Sequence, residues 1–259
     1  MSRGFSVFVL GASSCTAKSL YPLLLKKSHL HPLTLSLVAR DAKELENAEL
    51  FIRQLDPSVR VIKSVAAANE DGAIGEAVQR TVTEFGSVDA SVNLIGSILL
   101  KPAHLTSIED FRTVWETNVQ SSFSMLRHVT KHMMRQPQGG SVVLMSSAVS
   151  RHGFANHEAV SAAKGAINSL TLSAASSYAK HKIRVNAVLP GLTFAKMSER
   201  LTSNSQALQA SIAMHALGKI GTTEDVARSV SFFLDPVESG HVTGQLLAVD
   251  GGLGSVKAS

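Results

Sequence analysis

Val7-Phe8-Val9-Leu10-Gly11-Ala12-Ser13-Ser14-Cys15-Thr16-Ala17 passes from four residues of strand character, through a turn of small side chains, into the start of a helix. Gly11 allows the chain to reverse where a side chain would obstruct it. Backbone N–H groups at the first turn of a helix have no partner within the helix and favour an anion. Gly11, Ser13, Ser14 and Cys15 are therefore candidates to face a pyrophosphate. A plain strand-to-helix connection has a similar composition, so the rest of the chain must decide between the two.

Outward from this segment, short β-rich runs alternate with amphipathic runs of helix length, the pattern of a parallel sheet with helical crossovers. Val7 to Leu10 reads as a strand, Ala17 to Lys27 as a helix and Leu33 to Val38 as a strand, with His31-Pro32 between them. A helix follows over Ala42 to Leu55, a strand over Val59 to Ile62, and a helix from Glu70 to Phe85 that Gly86 ends. Val88 to Leu94 is the fourth strand, and Ile108 to Met134 carries Val119, Phe123, Leu126, Val129 and Met133 at helical spacing. Ser141 to Met145, a helix over His157 to Ala179, and Ile183 to Val188, stopped by Pro190-Gly191, complete the next unit. Thr223 to Leu234 is a helix and Gln245 to Val249 the last strand. The expectation is one α/β domain over residues 1–259, a doubly wound seven-stranded parallel sheet of Rossmann type, with its ligand crevice at the C-terminal strand ends.

Composition agrees. Of the 259 residues 44% are apolar and only 5% aromatic, so the core is built from aliphatic and small side chains. The single cysteine, Cys15, can form no internal disulfide, which suits a reducing compartment. Strand-like residues begin at Phe5 and no apolar run reaches the roughly 18 residues of a membrane span, so the expectation is a soluble cytoplasmic protein, with an organelle matrix left open. The formal charge of +5 is dispersed and interrupted by acids, which argues against nucleic acid and suits a cleft for a phosphorylated cofactor.

The opening segment resembles the glycine-rich loop of short-chain dehydrogenases/reductases, and the later signatures of that family recur in order over nearly the whole chain. Asn93-Leu94-Ile95-Gly96 is similar to the family's Asn-Asn-Ala-Gly turn, Asn118 sits at its helix asparagine, and Ser147 at its catalytic serine. Lys164, within Ser161-Ala162-Ala163-Lys164-Gly165-Ala166, resembles the active-site lysine, and Arg184-Val185-Asn186-Ala187-Val188-Leu189-Pro190-Gly191 matches the sixth-strand signature. Gly221-Thr222-Thr223-Glu224-Asp225-Val226-Ala227 and Val249-Asp250-Gly251-Gly252 are similar to the subgroup containing 3-oxoacyl-(acyl-carrier-protein) reductases. The resemblance implies a nicotinamide dinucleotide touching Gly11, Ser13, Ser14, Cys15, Asn93, Gly96, Lys164, Pro190, Gly191 and Thr193, and a small carbonyl or alcohol substrate.

The chain departs from the family pattern at several places. Cys15 and Ala17 replace two loop glycines, Ser64 an aspartate that meets adenine, and Ala195 a threonine that meets the carboxamide. At the end of the second strand, where NAD enzymes place a carboxylate, stand Ala39 and Arg40. A guanidinium pairs with a 2′-phosphate through two charge-assisted bonds, so NADP is favoured over NAD. Asp41 is the counter-evidence unless it caps the following helix.

The largest departure is a missing hydroxyl. The family's tyrosine lies four residues before the lysine, and that place is Val160; Ser147 precedes it by thirteen residues, the usual family separation. Tyr178 lies fourteen residues beyond Lys164, about 21 Å along a helix, and neither it nor Tyr21 can substitute. His157, three residues before Val160, shares its helix face and carries an imidazole, a side chain suited to proton transfer, so it is the candidate proton donor, with ordered water near Lys164 as the other. Its alternative is a solvent-facing residue in a first turn that Asn156 caps. Asn118 either holds a water beside Lys164 or bonds backbone within its helix. His128 and His132 share a face but lack a third metal ligand, and read as surface residues.

Two functional readings result. One is an NADP(H)-dependent oxidoreductase whose catalytic residues are Ser147, Lys164, Asn118 and His157. The other is a catalytically silent dinucleotide-binding or interaction protein. In either case a homo-oligomer, tetramer or dimer, is expected, with Ala159, Ala163, Ala166 and Leu170 offering a small-residue face for packing.

Overall fold

The computed structural model describes residues 4–256. Its strands and helices alternate as β1 (Phe5–Leu10), α1 (Cys15–Leu25), β2 (Leu33–Ala39), α2 (Ala42–Leu55), β3 (Arg60–Val65), α3 (Asp71–Phe85) and β4 (Ala90–Asn93). There follow α4 (Ile108–Trp115), α5 (Ser121–Met133), β5 (Gly140–Met145), α6 (Glu158–Tyr178) and β6 (Ile183–Pro190). The chain ends through β7 (Thr193–Phe194), α7 (Glu199–Thr202), α8 (Ser205–Met214), β8 (Gly221–Thr222), α9 (Thr223–Leu234) and β9 (Leu246–Val249).

Seven strands form one parallel sheet in the order β3-β2-β1-β4-β5-β6-β9. From β1 the chain winds outward to β3, then returns to β4 on the other side, so the strand order reverses between β1 and β4. The crevice of a doubly wound sheet opens above that reversal, at the C-terminal strand ends.

Successive strand side chains point to opposite faces, and β1 shows this directly. Val7 and Val9 pack with Leu20, Leu24, Leu45 and Phe233 beneath α1, α2 and α9, while Phe8 and Leu10 pack with Ile74, Met125 and Ile167 beneath α3, α5 and α6. Both faces of the strand are buried, which is why Val7 to Leu10 is a continuous apolar run. Helix ends use the expected chemistry. Gly86 closes α3 at a φ of 82°, and Thr222 and Asp225 form a reciprocal capping box on α9.

The structure differs from the sequence reading at three places that bear on function. The single helix expected over Ile108 to Met134 is divided by a π turn, Glu116–Gln120, in which Ser121 N–H bonds to Glu116 C=O. The hydrophobic spacing runs through the turn and conceals it. Residues 196–214, to which no element was given, form short helices over the C-terminal strand ends. Ala159 and Ala163 do not offer an open face, because α4 covers them: both are buried with Val114 and Val160.

Candidate functional site

The β1–α1 turn is held from several sides. Gly11 has φ of 84°, and a Cβ there would stand 3.0 Å from Ile95 N and Leu94 C, so glycine is required for both conformation and space. Gly11 and Ala12 N–H both donate to Val38 C=O, at 2.8 and 3.0 Å. Ser14 caps α1, accepting from Ala17 N–H at 3.2 Å. Tyr21, fully buried, donates its hydroxyl to Ala12 C=O at 2.6 Å, and burial raises its pKa far above the usual phenol. Ala17 packs in the core, while Cys15 and Thr16 N–H make no hydrogen bond among the described residues. The helix start thus keeps free donors where an anion would sit.

At the end of β2, Asp41 accepts from Glu44 N–H at 3.1 Å and caps α2. Its carboxylate is engaged in the helix cap. Arg40 is exposed and makes no hydrogen bond or ion pair among the described residues. Ser64 lies on β3, paired in register with Val38.

A cavity of about 310 Å³ lies above the middle strands and reaches from Thr16 on α1 to the helices over residues 196–214. Ser147, His157, Val160, Lys164, Gly96, Pro190, Gly191 and Thr193 all line it. The Oγ of Ser147, just beyond β5, makes only long contacts, to Pro190 C=O and from Val149 N–H, each at 3.4 Å. Lys164 is buried on α6 and donates to Met145 C=O at 2.8 Å. Burial without a carboxylate partner lowers its pKa to about 8. Val160 is buried in an apolar group with Val114, Ala159 and Ala163. His157 is itself the N-cap residue of α6, while Asn156 takes a left-handed φ of 64° and does not cap it. The His157 ring lies 5.7 Å from that of Phe154, and its Nδ1 is 2.7 Å from Ala155 C=O.

Asn118 sits in the π turn and commits its side chain fully. Its Nδ2 donates to Ser97 Oγ at 2.9 Å and to Val114 C=O at 2.8 Å, and its Oδ1 accepts from Ser97 N–H at 3.2 Å. A Cβ on Gly96 would stand 3.4 Å from both Asn118 Oδ1 and Lys164 Nζ, so Gly96 keeps this corner open. Asn93 is spent on the scaffold, donating to Ser121 and Ser122 hydroxyls and accepting from Ile95 N–H. Thr193 donates to Gly191 C=O at 3.1 Å.

Two residues of the site carried no signal in the sequence reading. Tyr21 was weighed only as a proton donor, whereas it anchors the turn. His215 lines the same cavity at 3% exposure, with Nδ1 2.6 Å from Ser211 C=O and a buried Nε2 that has no partner among the described residues. His128 is only half-exposed, resting on Gly75 and bonding Asp71 at 3.1 Å. No metal-binding group of His, Cys, Asp or Glu occurs among the described residues, and none of their helices is long and apolar enough to cross a membrane.

A family model described as enoyl-(acyl carrier protein) reductase matches residues 30–254. A chloroplastic tropinone reductase homolog of Arabidopsis thaliana is 34% identical over 217 residues, 83% of this chain and 66% of that protein, so the chain spans just under two thirds of it. The 3-oxoacyl-(acyl-carrier-protein) reductase of Thermotoga maritima is 34% identical over 182 residues, 70% of this chain and 72% of that one. L-xylulose reductase of Mus musculus is 32% identical over 198 residues, 76% and 81% of the two chains. The crystal structure of levodione reductase superposes with a TM-score of 0.90 at 24% identity, over 97% of this chain and 98% of the other.

Proposed function

The chain belongs to the short-chain dehydrogenase/reductase family, and from that premise we propose that it is an NADP(H)-dependent oxidoreductase of a small carbonyl or alcohol, with His157 carrying the proton. The observation that supports this reading best is that Ser147, Lys164 and His157 line one cavity that also reaches the N-terminus of α1. The donors present fit a phosphorylated dinucleotide. Cys15 and Thr16 N–H suit its pyrophosphate, the exposed Arg40 its 2′-phosphate, and Lys164 its ribose hydroxyls. The dinucleotide, when bound, supplies or accepts the hydride.

The chain's own residues handle position and proton. Ser147 Oγ, held only by long contacts, is free to donate to a carbonyl oxygen. His157 Nδ1 faces a carbonyl, which only accepts, so this nitrogen carries hydrogen and Nε2 exchanges the proton. Asn118, committed to Ser97 and Val114, fixes the Gly96–Ser97 corner beside Lys164 and is a positioning residue. The apolar packing of Val160 supports the second reading, a silent binding protein, because nothing polar replaces the tyrosine there.

Titration with NADPH and NADH, followed by a carbonyl screen, separates the two. His157→Ala lowers turnover at least about a hundredfold with cofactor affinity nearly unchanged if imidazole is the acid. Val160→Tyr creates or raises carbonyl reduction, at an overpacking cost of about 1–3 kcal/mol that thermal melts report. Normal NADPH binding with no reduction by either the parent or Val160→Tyr favours the silent reading. We further expect a homo-oligomer, dimer or tetramer, because Ile108, Phe111 and Trp115 on α4, Phe123 on α5 and Leu172 on α6 are exposed. Sedimentation as a monomer at micromolar concentration removes that expectation. The lone Cys15 suits a reducing, cytoplasmic setting.

A further inference from the structure

Among the described residues lining the cavity, Lys164 carries the only amine, and neither a carboxylate nor an arginine lines it; the other ionisable groups there are His157 and His215. The Lys164 side chain makes one hydrogen bond among those residues, to Met145 C=O at 2.8 Å. A neutral acceptor offsets only part of what it costs to bury a charge. The apolar Val160 lies four residues before it on α6, and much of the rest of the cavity wall is hydrocarbon and thioether.

A ligand atom can approach the amine. Gly96 lines the same cavity, and a Cβ placed on it would stand 3.4 Å from Lys164 Nζ and from Asn118 Oδ1, and 3.9 Å from Met197 Cε. These are ordinary contact distances, so a carbon-sized space lies open against the nitrogen. Asn118 is committed to Ser97 and Val114 and does not neutralise the amine. A neutral amine that donates one N–H to Met145 C=O keeps its lone pair on another side of the tetrahedral nitrogen, free for that space. A buried amine without a counter-charge favours this nucleophilic form. Burial brings the pKa of Lys164 down to about 8, so about half of it is neutral at pH 8, against less than about one part in a hundred for an exposed lysine.

We propose that Lys164 is a carbonyl-capturing nucleophile, which holds a small aldehyde as a reversible Schiff base when no dinucleotide occupies the cavity. Nζ attacks the aldehyde carbon: the N–C bond forms, the carbonyl π pair moves to oxygen, and a proton passes from nitrogen to that oxygen to give a carbinolamine. The C–O bond then breaks, the hydroxyl leaves as water with one proton from the medium, and the nitrogen lone pair closes C=N. Hydrolysis reverses both steps, and no oxidant or reductant takes part. Capture does not rest on the oxidoreductase reading; it competes with the dinucleotide ribose for the same nitrogen.

In the test, dinucleotide-free protein at pH 8 meets benzaldehyde and sodium cyanoborohydride, which fixes each Schiff base as a benzylamine. Peptide mass spectrometry maps the modified lysines, with the exposed ones as internal standards. Lys164 is expected to react at least about tenfold faster than any exposed lysine. Gly96→Ala, whose methyl fills the open space, should slow Lys164 at least about fivefold and leave the exposed lysines and the melting temperature near the parent's. Lys164 reacting no faster than exposed lysines overturns the proposal, and so does an equal Lys164 rate in Gly96→Ala. Saturating NADPH should protect Lys164 and no exposed lysine. If capture occurs and NADPH binds without protecting, the Schiff base stands and Lys164 leaves the ribose site; if NADPH binds and capture is absent from the free protein, the proposal falls and the oxidoreductase reading is untouched.

Discussion

The two ends of the sheet treat their polar groups in opposite ways. At the N-terminal strand ends the buried Asp89 accepts from Ser6 N–H and Ser87 Oγ at 2.9 Å each and from Gln138 Nε2 at 3.0 Å. Asp235 accepts from Lys27 at 2.7 Å and Val237 N–H at 2.8 Å, with His29 Nε2 also at 2.8 Å. Arg184 donates to Phe233 C=O, Ser239 Oγ and Val242 C=O. At the C-terminal ends, among the described residues, Arg40 has no partner, Lys164 has one bond to a neutral carbonyl, and His215 Nε2 has none. Folding pairs Asp89, Asp235 and Arg184 at one end and leaves unused hydrogen-bonding capacity at the other. Stability and binding are therefore separable by mutation.

The strongest challenge to that separation is at Asp89. Asp89→Ala strands several buried donors and should cost about 3 kcal/mol or more in chemical denaturation, a large share of a domain's stability. The folded remainder, measured in the cold, should bind NADPH as the parent does; a large loss of affinity would show that the ends are coupled. Arg40→Ala reverses the pattern. It should weaken NADPH several-fold to about a hundredfold, leave NADH nearly unchanged, and not shift the melting temperature measurably. Equal losses for the two cofactors would remove the phosphate role.

Tyr21→Phe lies between these extremes, because its hydroxyl serves the fold by holding a turn that serves the site. A cost of about 0.5–1.5 kcal/mol in stability is expected, with a parallel, small loss of dinucleotide affinity. Affinity unchanged at full occupancy would show that the turn holds its shape without the bond.

The smallest effect concerns pH. Burial alone would raise the carboxyl of Asp235, but the bonds from Lys27, from Val237 and Glu238 N–H, and from His29 hold it below the usual range. A carboxyl depressed in the folded state contributes stability above the ordinary aspartate pKa of about 3.9, and that contribution is lost as pH falls through the folded value. The melting-temperature gap between parent and Lys27→Met should therefore narrow below about pH 4. A gap independent of pH would assign Lys27 to packing alone.

What the sequence disclosed followed what repeats along it. The sheet was legible because Val7 to Leu10 is an unbroken apolar run and Leu33 to Val38 places leucine at every second position, and α2 because Asp41 and the spacing of Leu45, Ala48 and Ile52 mark its start and face. The positions of Ser147, Lys164 and Val160 were legible through family resemblance. The π turn was not, since one added residue leaves apolar side chains near every expected position. Residues 196–214 were not, because Ser203-Asn204-Ser205 and the mixed residues around them form elements too short to show a period. The unpaired Nε2 of His215 was illegible for a different reason: only three-dimensional packing shows that no partner stands beside it among the described residues.

The π turn at Glu116–Gln120 makes the α4–α5 rod one residue longer than an unbroken α-helix of the same reach would be. Such a rod can be edited by length with its composition almost unchanged. Removing a single residue from the turn would let the α ladder close with both flanks near their present places, whereas winding the same residues as an unbroken α-helix would rotate everything beyond the turn by about a hundred degrees about the axis. Either Asn118 would swing away from Ser97 or the buried stripe of Met125, Val129 and Met133 would leave the sheet. By absorbing the surplus residue, the π turn lets one face of the rod serve the cavity and the other the core.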